Sequence, residues 1–178
     1  MDLFVTQNVT AGQKSQSPIA RFGQICYSLI SIEILDQNQD AQMKSFDRQP
    51  PKIAFERLQA KPNALLIDCR TKAEWAYVGV PILPDNPQKT NFIEWVNTAG
   101  QPNPDFLSEV RNIASTDTPL YLICRSGVRS AAACQLLAES GFTALVNIED
   151  GFEGEIGSRG QRASVNGWKY CNLPWKQG

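Results

Sequence analysis

The chain has 178 residues, 42% of them hydrophobic and 20% charged, which bounds it to one globular domain able to bury a core without disulfide or metal staples. Lys and Arg number 17 against 18 Asp and Glu, so no global field recruits nucleic acid or anionic lipid, and any anion site must be local. Histidine is absent, which removes Cys–His dyads, Ser–His–Asp triads, HExxH metal sites and histidine general bases at once.

Residues 1–24 are rich in Gln, Ser and Thr and have no sustained period; they read as a mobile segment. Their first apolar run, Leu3 to Val5, is too short for the core of a secretory signal, and Lys14 and Arg21 are too few for a transit peptide. Ile25 to Leu35 is apolar and β-branched, too short to span a bilayer and interrupted by Glu33. It reads as a strand or short helix covering the core, with an edge strand or a dimer contact as alternatives. Gln37 to Gln49 is polar and reads as a linker closed by Pro50-Pro51. The expected division is therefore an N-terminal extension over 1–49 and a folded domain over 50–178.

From Pro51, the run Ile53, Phe55 and Leu58 has helical spacing, with proline in the first turn and a stop near Pro62. Ala64 to Ile67 is an apolar strand too short to alternate, as in the buried middle of a parallel sheet. Asp68 and Arg70 at its end can pair with each other or with loop amides. Cys69 points to the opposite face by strand alternation; a resolving thiol is conceivable there, and a small core residue is the preferred reading. Ala73 to Val78 forms a short helix, Gly79 to Pro87 a Pro-rich loop, and Asn91 to Val96 a second strand. Phe106, Leu107, Val110 and Ile113 fall at helical spacing over Pro104 to Ile113, with Asn103 as the cap.

Leu120 to Ile123 is a short apolar strand, Cys124 to Arg129 a turn-rich basic loop, and Ser130 to Leu137 an Ala-rich helix. A loop entering a helix presents unpaired backbone N–H groups at the positive end of the helix dipole. With Arg125 and Arg129 alongside, Cys124 is expected to ionise below the free-thiol value of about 8.5. The helix is expected to bury Val128, Ala132 and Leu136 with Ala133 and Leu137, leaving Cys134 near the stripe's edge and Gly141 as the stop. Ala144 to Ile148 is the last strand. The acidic turn Glu149 to Gly154 can wall the site, pairing Glu149 or Glu153 with Arg125 or Arg129, or can simply be solvated. Residues 155–167 are polar and Gly-rich, and Trp168 to Trp175 should fold back on the domain. The cysteines at 26, 69, 124, 134 and 171 show no CxxC pair and no zinc-like spacing, which suits a reducing, cytoplasmic setting. Strands alternating with helices imply an α/β fold with a central, mostly parallel sheet flanked by helices on both faces, and Cys124 beyond the strands' carboxyl ends.

The loop Cys124-Arg125-Ser126-Gly127-Val128-Arg129 followed by Ser130 resembles the active-site loop of rhodanese-like sulfurtransferases. Leu65 to Trp75 (LLIDCRTKAEW) is similar to that family's strand-Asp-x-Arg-x-x-x-Glu-aromatic signature, with Glu74 and Trp75 in its last two places, and Asn147 to Gly154 and Gly167 to Trp175 resemble its closing segments. The resemblance implies a Cys124 persulfide that takes a sulfane sulfur from a small-molecule donor such as thiosulfate and hands it to a thiol, a protein acceptor or cyanide. It implies binding by Arg125, Ser126, Gly127, Val128 and Arg129, support from Asp68, Arg70 and Ser130, and no metal, organic cofactor, nucleic acid or membrane. Two other classes remain open: a cysteine phosphatase or arsenate-reductase-like enzyme, and a redox-sensing or binding module. Tyrosine-type phosphatases place five residues between cysteine and arginine, whereas four separate Cys124 from Arg129 here.

Overall fold

A computed structural model describes residues 45–177; the readings made for 1–24 and for Ile25 to Leu35 lie outside the described residues. Five strands form one sheet in the order β1-β6-β5-β2-β4, where β1 is Asp47–Gln49, β2 Leu65–Asp68, β4 Thr90–Phe92, β5 Leu120–Ile123 and β6 Leu145–Ile148. Every pairing between them is parallel. The helices are α1 (Pro51–Ala60), α2 (Lys72–Val78), α3 (Phe106–Ile113) and α4 (Val128–Glu139), with a 3-10 turn at Pro87–Lys89. A two-stranded antiparallel ribbon joins β3 (Val80–Pro81) to β7 (Trp175–Lys176).

Because successive strand residues point to opposite faces, each strand feeds two cores. One contains Ile67, Cys69, Leu120, Leu122 and Cys124 with α3 and α4. The other contains Leu66, Tyr121, Ile123, Val146 and Ile148 with α1, Phe152 and Trp168. The central strands are therefore apolar on both sides, which is why they read as continuous hydrophobic runs. Trp168 is fully buried, donates its indole N–H to the Pro174 carbonyl at 2.8 Å, and meets Phe55 edge-on at 5.6 Å. Trp175 remains partly exposed against Phe152 and Lys169.

Three expectations are corrected. The polar stretch ending at Gln49 is not all linker: Asp47–Gln49 is the edge strand, paired with Val146–Ile148. Three polar residues carry no alternation, and the strand exists because β6 offers it a ladder. Helix α3 starts at Phe106, later than Pro104, because the Asn103 carboxamide accepts from the Asp105 N–H at 3.0 Å and holds a turn ahead of the helix. Helix α4 buries Ser130, Ala133, Cys134, Leu137 and Ala138, while Val128 and Ala132 are exposed. In an Ala-rich helix two adjoining stripes are nearly equal in hydrophobicity, and close approach to the sheet selects the one with smaller side chains.

Asp68 and Arg70 are both fully buried. The guanidinium donates to both carboxylate oxygens, the shortest contact being 2.6 Å, and to the Gly79 carbonyl at 2.8 Å, while its carbon lies 4.1 Å from the centre of the Phe152 ring. This cation ties the end of β2 to the start of β3 and to the turn after β6. Asp68→Ala would strand it unpaired in the core and should cost about 3–5 kcal/mol. Urea unfolding of the variant checks this, with an unchanged midpoint as the contrary result.

Candidate functional site

Cys124 follows the last residue of β5 and is 1% exposed. Its sulfur accepts from the Gly127 N–H at 3.2 Å and from the Ser130 hydroxyl at 3.3 Å, and the Ser126 and Ser130 amides add to the same cradle. Gly127 makes this possible: at φ 86° it turns the chain left-handed just before α4, a conformation that L side chains rarely adopt. A Cβ there would also approach the Asp150 amide to 3.2 Å.

The outside of the loop is held by the turn after β6. Phe152 N–H donates to the Cys124 carbonyl at 2.7 Å, and the Glu153 and Gly154 N–H groups donate to the Arg125 carbonyl at 2.9 and 3.1 Å. Gly151, at φ 60°, passes so close that a Cβ would collide with the Cys124 carbonyl oxygen and with Arg125.

These contacts hold the Cys124 thiol as thiolate, with its pKa lowered to about 5. The leading cause is hydrogen bonding from the neighbouring Cys69 thiol; burial opposes ionisation, and the donors from Ser130 and Ser126 add to the lowering. Burial pushes the Cys69 and Cys134 thiols the other way. Cys69, Cys124, Cys134 and Cys171 are all free thiols. Among the described residues no group of His, Cys, Asp or Glu is arranged to hold a metal ion, and no helix is long and apolar enough to cross a membrane.

The two loop arginines separate. Arg125 is exposed at the rim. Arg129 forms a fork to Glu74, at 2.8 and 2.7 Å, so neither Glu149 nor Glu153 is its partner. Glu74 is already fixed by a capping box with Thr71, whose N–H donates to its carboxylate at 3.0 Å. Burial would raise the Glu74 pKa, but Arg129 and Thr71 outweigh it and bring it to about 2. The Glu74 carboxylate, ahead of the nearby thiolate, in turn raises the Arg129 pKa. Thr71, Glu74, Asn97, Arg125 and Arg129 line a cleft of about 440 Å³ beside the loop. Of the predicted residues, Ser126, Gly127 and Ser130 thus donate toward the Cys124 sulfur, Arg125 and Val128 are exposed, Val128 by 74%, Arg129 is turned to Glu74, and Asp68 and Arg70 are buried at the end of β2. Sequence reasoning placed Glu74 in the resembling signature without pairing it with Arg129, and preferred Cys69 as a core residue rather than a neighbour of Cys124. The closeness of Cys69 carried a signal, since β2 and β5 both run into Cys-Arg.

The family model described as Rhodanese-like domain matches residues 53–155. The uncharacterized protein RC0915 of Rickettsia conorii is 37% identical over 125 residues, 69% of this chain and 91% of that protein. The crystal structure of Rv0390 from M. tuberculosis superposes with a TM-score of 0.70 at 38% identity, covering 75% of this chain and all of that one. The polysulfide-sulfur transferase homodimer of Wolinella succinogenes shares the fold at a TM-score of 0.51 and 21% identity, over 82% of this chain and 92% of that one.

Peptide-resolved alkylation of Cys124 should show a midpoint at about pH 5. Ser130→Ala, which removes a donor to the sulfur, should raise that midpoint by about one pH unit, or ~1.4 kcal/mol. Arg129→Ala should move it less, because Arg129 donates to Glu74 and makes no hydrogen bond to the sulfur. Equal shifts in the two variants would overturn this ranking. An unfolded thiol titrates near ~8.5, so between that value and the folded one the unfolded chain binds the extra proton. The stabilisation from this group is fully present above the unfolded value and is lost as pH falls to the folded one. Cys124→Ser should flatten this part of the stability–pH curve measured by denaturant unfolding.

Proposed function

The chain belongs to the rhodanese-like family, and from that premise we propose that it is a sulfurtransferase in which Cys124 carries the sulfur. The observation that carries this reading is a thiolate held at a pKa of about 5, inside a ring of N–H and O–H donors. The thiolate attacks the outer sulfur of a donor such as thiosulfate. A bond forms between Cys124 Sγ and that sulfur, the donor's S–S bond breaks, and sulfite leaves with the electron pair. The product is an anionic Cys124 persulfide. Cyanide or an acceptor thiolate then attacks the outer sulfur and returns Cys124 to the thiolate.

The donors that hold the thiolate also stabilise the persulfide anion one bond further out. Cys124 is so deeply seated that one sulfur atom can reach it while the sulfonate of thiosulfate stays at the rim, beside exposed Arg125. The cleft next to Arg125 and Arg129 offers room for a small thiol or the tip of a protein acceptor. Phosphate chemistry is disfavoured on two grounds. Four residues between Cys124 and Arg129 make a ring tighter than a phosphatase loop, and the Arg129 fork, which would have to clamp phosphate oxygens, is occupied by Glu74.

Thiocyanate formation from thiosulfate and cyanide tests the reading. Wild-type protein should gain one sulfur on thiosulfate treatment, seen by intact mass and reversed by a thiol, and Cys124→Ser should lose both loading and turnover. Hydrolysis of an aryl phosphate through Cys124, with no sulfur taken up from thiosulfate or mercaptopyruvate, would sink it.

A further inference from the structure

Strands β2 and β5 are neighbours in register from Leu65 opposite Leu120 to Asp68 opposite Ile123. One step further, Cys69 stands opposite Cys124. The two cysteines have the same strand parity and belong to the same buried cluster. The Cys69 N–H donates to the Ile123 carbonyl at 2.9 Å, and its sulfur lies 3.2 Å from that same oxygen. The thiol is therefore laid along the peptide that leads into Cys124. Adjacent strands run about 4.8 Å apart, a spacing inside the Cα range of about 4.4–6.8 Å that a disulfide accepts. In the sulfur-transfer cycle this second thiol serves only as a hydrogen-bond donor to Cys124, never as a nucleophile.

We propose that Cys69 is the resolving thiol of Cys124: it displaces the group carried on Cys124 Sγ, hydrosulfide in the case of a persulfide, and closes a Cys69–Cys124 disulfide. The hydrosulfide branch rests on the sulfur-transfer reading. In it, a bond forms between the Cys69 sulfur and Cys124 Sγ, and the bond from Sγ to the outer sulfur breaks. The outer sulfur leaves with the electron pair and the Cys69 proton, as HS⁻. The outer sulfur is reduced to sulfide and the Cys69 sulfur is oxidised. A thiol reductant, itself oxidised to a disulfide, then reopens the pair. A charged domain left without an acceptor thus discharges its sulfur as sulfide and locks itself. Burial keeps the Cys69 thiol protonated, so discharge is slow beside transfer to a reactive acceptor and quickens as pH rises.

The test loads wild-type protein with thiosulfate, removes the donor, and incubates it anaerobically without an acceptor. The expected result is loss of the added sulfur, release of one equivalent of hydrosulfide, and a cross-linked peptide pair containing Cys69 and Cys124. Cys69→Ser, which keeps a hydrogen-bond donor but cannot form the disulfide, should hold its added sulfur; Cys134→Ala should discharge like wild type. A loaded wild-type protein as long-lived as Cys69→Ser, or a disulfide mapping to Cys134 or Cys171, overturns the proposal. A second arm is independent of sulfur uptake. Hydrogen peroxide converts the Cys124 thiolate to a sulfenic acid, and Cys69 should displace water from it to give the same disulfide. Overoxidation of Cys124 with no Cys69 disulfide overturns the proposal. Failure to load sulfur at all, with this disulfide formed, counts against the sulfur-transfer reading and supports the resolving thiol.

Discussion

The site depends on where two carbonyls point. A loop of six residues cannot offer its N–H groups to one sulfur unless its carbonyl oxygens are satisfied elsewhere, since buried backbone acceptors without partners are costly. Here the carbonyls of Cys124 and Arg125 are taken up by the N–H groups of Phe152, Glu153 and Gly154. That leaves the Ser126, Gly127 and Ser130 amides free to face inward. The contact needs a turn that can come within backbone distance of the loop, and Gly151 permits it by having no side chain to collide. The turn is in turn held by what lies under it. Phe152 covers the Asp68–Arg70 pair, and the Gly151 carbonyl accepts from the Trp168 N–H at 2.8 Å. Residues far apart in sequence thus converge on a single requirement, that the loop stay rigid with its donors inward.

The parts of this arrangement governed by local rules were legible in the sequence. Strand β5, the glycine-bearing loop and α4 follow one another without interruption, and the short apolar runs of β2 and β6 announce a parallel sheet. Asp68 and Arg70 pair as their spacing permits. Legibility ended where a partner is chosen by topology. Glu74 and Arg129 are 55 positions apart; they meet because α2 and α4 both begin at the carboxyl end of the sheet, beside neighbouring strands. The acidic turn near residue 150 was nearer in sequence to the loop, but its N–H groups, not its carboxylates, make the contact. The same topology hides Cys69. Alternation correctly sends it to the face opposite Arg70, yet only the order β5-β2 puts that face beside Cys124. Strand β1 was invisible for a different reason: an edge strand of three polar residues has no pattern of its own and borrows its structure from β6.

Charge and hydrogen bonding divide the work around the thiolate. The loop carries two arginines, which suggests that positive charge holds the sulfur anion, but the Arg129 fork is closed on Glu74 and the pair is nearly neutral as a unit. What remains at the sulfur is a set of fixed dipoles: the Cys69 thiol, the Ser130 hydroxyl and the loop amides. Dipoles in a buried setting are hardly screened by salt, whereas exposed charges are screened within a Debye length of about 10 Å at 0.1 M. The low thiol pKa is therefore a property of the folded site, side chains and backbone together, and depends little on ionic strength. The attraction of the proposed anionic donor to the exposed Arg125 at the rim would weaken as salt rises. Fixed dipoles also suit the proposed sulfur-transfer cycle, in which the negative charge never leaves the site. It moves from Cys124 Sγ to the outer sulfur of the persulfide and back, and a cradle of several donors spread over Ser126 to Ser130 can follow that shift without any side chain changing its protonation.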